Sequence, residues 1–141
     1  GMVRETRLSK SSLVYPMFVR EGSKIIEPLP SLEGQMRYSP DMLHVGLAQV
    51  VKAGVGAVML FGIPTHKDYE GSGAWEENGV VQQALRAAKR DFPSLYLITD
   101  VCLCEYTDHG HCGVLDEKGQ VVKFGLGSIT VIQTELSSRR R

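Results

Sequence analysis

Nowhere in its 141 residues does the chain hold an apolar run near the ~18 residues that a membrane-spanning helix needs. The opening "GMVRETRLSK" also lacks the apolar segment of a secretory signal, so the expectation is a soluble, cytoplasmic protein. An excess of charge is missing too: 16 basic residues face 16 acidic ones, and the longest run of one sign is Arg139 to Arg141. That balance removes the electrostatic basis for binding nucleic acid or an anionic membrane. Internal repeats and low-complexity segments are absent, and one domain with a real core is the default at this length. Cysteine is scarce, and its count of three is odd. In a chain without an export signal this argues against a disulfide framework and for thiol or metal chemistry.

What is present is an alternation of strand and helix signals. "SLVYPMFV" (Ser12 to Val19) is rich in β-formers and predicts a first strand, with Pro16 marking a start, bulge or edge. The next twenty residues carry Gly22, Pro28, Pro30 and Gly34 and predict a loop. Ser39 and Pro40 have the form of an N-cap and first helical residue. Met42, Leu43, Val45, Leu47, Val50 and Val51 then recur at helical spacing until Gly54. "GAVMLFGI" (Gly56 to Ile63) has the continuous apolar character of a parallel strand covered on both faces. A polar, glycine-rich loop, "PTHKDYEGSGAWEENG", leaves its C-terminal end, where α/β proteins place functional loops; Lys67 and Asp68 within it read equally as a solvated turn. A second helix starts at Val80 and ends before Pro93, and a third strand spans Leu95 to Val101. The fold class is therefore α/β, with about three parallel strands and two main helices. Beyond Gly119, Val121, Val122, Phe124, Ile129, Val131 and Ile132 have β-like spacing and no third helix follows.

All three cysteines and two of the four histidines fall within "DVCLCEYTDHGHCGV", Asp100 to Val114. If the third strand persists, Cys102 and Cys104 point to the same side, and Cys112 can fold back from the loop to join them. Three thiolates suit one zinc ion, and a set of three leaves the fourth position open for water or substrate, as catalytic sites do. The C-x-C-x₇-C spacing is not the paired C-x₂-C of a zinc ribbon. Two other readings stand beside the metal site: Cys102 as a packed strand residue with bystander neighbours, or redox thiols. His109 and His111 read as turn or hydrogen-bonding residues rather than ligands. Asp100 can orient a metal-bound water, act as a base, or cap the turn.

The same stretch closely resembles the zinc-binding segment of the porphobilinogen synthase family, also called delta-aminolevulinic acid dehydratase. "VRETRLSKSSLVYPMFVREG", "LPSLEGQMRYSPD", "AVMLFGIPTHKDYEGSGAW", "GVVQQALRAAKRDFPSLYLITD" and "HGHCGVLDEKGQV" extend the likeness, in order, over roughly residues 3 to 122. The resemblance implies a TIM barrel, of which this chain supplies the early strands. The implied reaction is condensation of two molecules of 5-aminolevulinate to porphobilinogen, in haem and other tetrapyrrole synthesis. It also implies a homo-oligomer, Cys102, Cys104 and Cys112 as ligands of Zn2+, and Asp100 as an active-site aspartate. In that scheme the metal helps bind and polarise the second substrate molecule.

The family continues after a segment like "DEKGQV" with the rest of its barrel and two lysines that form Schiff bases with substrate. Residues 123–141 do not resemble that continuation and are set apart as a tail, and none of the seven lysines matches a catalytic position. Three strands of an eight-stranded barrel leave open edges and an uncovered face. The expectation is a partial barrel completed by a C-terminal β segment folding back on the exposed edge or by oligomerisation, and inactive alone. The alternative is a non-catalytic metal-binding or self-associating fragment.

Overall fold

In the computed structural model, which describes residues 8–100 and 102–124, strand β1 (Val14–Arg20) is followed by two short strands, β2 (Ile26–Pro28) and β3 (Met36–Tyr38). Helix α1 (Leu43–Lys52), strand β4 (Ala57–Ile63), helix α2 (Val80–Asp91) and strand β5 (Tyr96–Thr99) come next, then β6 (Gly113–Leu115) and β7 (Val121–Phe124). One sheet runs in the order β2-β3-β1-β4-β5, and β6-β7 form a second, two-stranded sheet. β1, β4 and β5 are parallel, with Val14 beside Ala57, Arg20 beside Ile63, and Ala57 beside Tyr96. Their connections through α1 and α2 are the βαβ units that the alternating pattern predicts.

Period-two alternation sends Met17 and Val19 of β1, and Val58 and Leu60 of β4, to the face covered by the helices. There they form one buried cluster with Leu43, Leu47 and Val50 of α1 and Val80, Val81, Ala84 and Ala88 of α2. Gly46 sets how closely α1 approaches: a Cβ there would stand 2.5 Å from Met17 Cε and 2.8 Å from the Tyr38 ring. The other face of the sheet is different. Ala57, Met59, Phe61 and Ile63 are only half-buried, and Phe18 and Phe61 stack on one another at 5.5 Å. The expectation of a strand covered on both faces is thus not met for β4, because among the described residues only one face of this sheet receives helices. The far edge of β5 carries Tyr96 at 69% exposure. These are the open face and edge of a partial barrel.

Two local expectations need correction. The proline- and glycine-rich segment is not all loop: β2 pairs antiparallel with β3, and β3 joins β1 through Phe18–Arg37 and Val19–Tyr38. Glu27 ties the three together through ion pairs to Arg20 and to Arg37, the latter at 2.7 Å. Ser39 is not the cap of α1. It is fully buried, its hydroxyl accepts from the Ile25 N–H at 2.9 Å and donates to Asp41, and α1 starts later, at Leu43, without a side-chain cap. Val121–Phe124 pairs with Gly113–Leu115 in the second sheet, and the tail expected to fold back on the exposed edge lies almost wholly outside the described residues. Ile129, Val131 and Ile132, like the remainder of the tail, lie outside the described residues.

Candidate metal centre

The loops leaving the C-terminal ends of β4 and β5 meet over the sheet. β5 ends at Thr99, before the cysteines, so the reason given for Cys102 and Cys104 facing one way does not hold. A turn replaces the strand: the Asp100 carboxylate accepts from the Cys102 N–H at 3.2 Å, and the N–H groups of Tyr106 and Thr107 both return to the Leu103 carbonyl. This turn sends Leu103, Tyr106 and Thr107 inward, all buried, and leaves Cys102 and Cys104 half-buried and Cys112 exposed. Tyr106 fits because position 62 is glycine. A Cβ there would lie 2.2 Å from the Tyr106 hydroxyl.

The three sulfurs converge all the same. Cys102 Sγ is 3.0 Å from both Cys104 Sγ and Cys112 Sγ, all three atoms lie within 4.8 Å of one another, and no disulfide joins them. Tetrahedral Zn–S bonds of ~2.3 Å hold sulfurs ~3.8 Å apart, so a shift of under about 1 Å per atom would admit the ion. Burial opposes a thiolate at Cys102, yet its hydrogen bonds with Cys104 and Cys112 outweigh burial and hold this thiol below its ordinary value. The bond to Cys102 pushes Cys104 up to about 12 and raises Cys112 as well. Of the three, Cys102 is therefore the thiol most readily ionised. Burial pushes the Glu105 carboxyl up, Asp100 adds to this by repulsion, and Lys67 opposes it.

Among the described residues, the three cysteines are the group whose donor atoms could share an ion; His109, His111 and Asp100 are not in it. Asp100 stays exposed beside the cluster, with one carboxylate oxygen engaged by the turn. The residue that sequence reasoning undervalued is Asp68. Its carboxylate accepts from the Ser72 N–H at 2.9 Å and from the Ser72 hydroxyl, which holds it well below the usual carboxylate range. Its backbone bridges to Tyr106 and Asp108, binding the β4 loop to the cysteine loop. The D-x-x-x-S spacing was the available signal for such a turn.

The family model for delta-aminolevulinic acid dehydratase matches residues 1–134. The chain belongs to that family. A dehydratase of Ruminiclostridium josui is 52% identical over 114 residues, which cover 81% of this chain and 56% of the relative. That of Halalkalibacterium halodurans is 47% identical over 117 residues, covering 83% of this chain and 36% of the relative. Among solved structures of the dehydratase family, porphobilinogen synthase from Toxoplasma gondii ME49, in complex with the reaction product porphobilinogen, superposes with a TM-score of 0.83 at 31% identity. The match takes in 94% of this chain and 40% of that one. This chain thus spans between about a third and somewhat over half the length of these dehydratases, and its five-stranded sheet corresponds to part of their barrel.

Proposed function

We propose that this chain carries the zinc-binding part of a porphobilinogen synthase, with Cys102, Cys104 and Cys112 as the ligands of Zn2+. The observation that carries the reading is the convergence of the three sulfurs within 4.8 Å, at the C-terminal end of a barrel strand, in a chain of this family. An all-sulfur set of three suits zinc over the harder cations, which prefer oxygen. Zinc bound there supplies Lewis-acid polarisation of a substrate carbonyl or hydroxyl. The protein's share is to hold the donors in place, to keep Asp100 exposed beside them as an acceptor of a substrate proton, and to back the site with the buried Leu103, Tyr106 and Thr107. The substrate is 5-aminolevulinate, two molecules of which condense to porphobilinogen with loss of water, and the setting is the cytoplasm.

The condensation also needs a lysine amine with a depressed pKa, placed against the substrate carbonyl, and no lysine here is matched to that role. The chain alone is inactive. Incubation with 5-aminolevulinate and borohydride, followed by mass spectrometry, should leave its mass unchanged, whereas a full-length synthase gains a reduced adduct. A stable adduct on this chain would contradict the assignment of the missing chemistry. A second reading, a self-associating fragment, draws on the half-buried Phe18–Phe61 face and the exposed edge of β5. Light scattering tests it: association predicts a mass that rises with concentration, and a constant monomer mass would refute it.

A further inference from the structure

Cys102 and Cys104 are placed by one turn, but Cys112 lies ten residues beyond Cys102 on an exposed loop that passes through Gly110 in the left-handed region, at φ 72°. Nothing in the spacing brings its sulfur back to within 3.0 Å of Cys102. The backbone around it is fixed from outside. The His111 N–H donates to His109 Nδ1 at 3.2 Å, and the His111 carbonyl accepts from the buried Thr107 hydroxyl at 3.0 Å. Three residues past the cysteine, the Leu115 carbonyl accepts from the Tyr69 hydroxyl. His109 then closes the circuit: its Nε2 lies 3.1 Å from the Tyr69 carbonyl, and its ring meets the Tyr69 ring edge-on at 5.2 Å. With Nδ1 accepting from an amide, the ring proton belongs on Nε2, where it donates to that carbonyl. Tyr69 itself cannot drift, because the neighbouring Asp68 is bridged to Tyr106 and Asp108.

We propose that Tyr69 and His109 form a latch, reaching across from the β4 loop, that positions Cys112 against the other two thiols. Both are positioning residues. Tyr69 holds the chain after Cys112 through its hydroxyl and the chain before it through His109. This gives work to a loop tyrosine and a loop histidine that are not donors in the cysteine cluster, and it makes the third thiol dependent on the β4 loop, where Tyr69 lies 40 residues before His109. The inference deepens the zinc reading and rests on it for metal binding alone; the placement of Cys112 is a property of the chain itself.

The test uses Tyr69→Phe and His109→Ala in the full chain, with His109→Asn as the conservative variant whose amide oxygen can stand in for Nδ1. Without metal, dibromobimane cross-links thiols that lie close together. In a Cys104→Ser background it reports Cys102–Cys112, and in a Cys112→Ser background it reports Cys102–Cys104. The latch predicts slower Cys102–Cys112 cross-linking in both latch variants, unchanged Cys102–Cys104 cross-linking, and partial recovery with His109→Asn. With all three cysteines present, cobalt(II) followed by its thiolate charge-transfer absorption should bind ~10–100-fold more weakly in the latch variants, as is usual for lost outer-shell partners. Cys102–Cys112 cross-linking at the parent rate would overturn the latch. So would equal slowing of both pairs, which would mean general loosening. If the parent cross-links as described but takes up no cobalt, the zinc reading fails while the latch stands.

Discussion

Gly62→Ala joins the fold to the site in one substitution. A Cβ on residue 62 would stand 2.2 Å from the Tyr106 hydroxyl oxygen, 2.7 Å from Val81 Cγ2 and 3.2 Å from Tyr106 Cζ, where comfortable contact is about 3.5–4.0 Å. Tyr106 is 6% exposed and Val81 8%, so neither can swing into solvent. Overpacking of this kind costs about 1–3 kcal/mol, and two clashes below 3.0 Å place this one near the upper end. About 3 kcal/mol is roughly a hundredfold in the folding equilibrium. At a urea slope of about 1–3 kcal/mol/M, the denaturation midpoint should fall by about 1–3 M. The cysteine loop should loosen with it, because Tyr106 is two residues from Cys104. Adding Tyr106→Phe removes the closest clash and leaves that with Val81, so the double variant should recover part of the loss and give a favourable coupling energy. An unchanged midpoint for Gly62→Ala, or a double variant no more stable than the single one, would refute this packing argument.

Further consequences follow for acid stability and the core. Asp68 is held below its ordinary value of 3.8 by the Ser72 hydroxyl first and the Ser72 N–H second. Since its folded pKa lies below the unfolded one, its contribution is present above about pH 4 and is lost as pH falls through the folded value. Asp68→Asn should therefore lower the denaturation midpoint at pH 7 and flatten its fall below pH 4, and a variant with the parent's acid limb would count against the Ser72 bonds. Leu60, at 1% exposure in the cluster between β4 and the helices, should cost about 2–5 kcal/mol when cut to alanine, read by urea denaturation. A loss below 1 kcal/mol would show that the helices do not pack on this face as described.

The sequence was most legible where one segment's own pattern decides its structure. β1, β4, α1 and α2 follow from apolar runs or helical spacing closed by glycine or proline, and each formed within a few residues of its expected limits. β2 and β3 were not legible, because three-residue strands among prolines and glycines exist only through pairing with each other and with β1, far away in sequence. Ser39 had the composition of a helix cap, but a buried contact with Ile25 claimed its hydroxyl. β5 stopped short because Asp100 turned the chain. At the site, residue type and nearness in sequence singled out the three thiols, but the turn at Asp100 that places Cys102 and Cys104 was not legible. Nor were the bonds from Asp68 and Tyr69, since they depend on two loops from different strands meeting over the sheet.

The most direct test of the central claim is the zinc content of the purified chain by elemental analysis, with Cys102→Ser/Cys104→Ser/Cys112→Ser measured alongside. About one zinc per chain, absent from the triple variant, is the result the three-sulfur centre predicts. No zinc in the unaltered chain, or equal zinc in both, would contradict it.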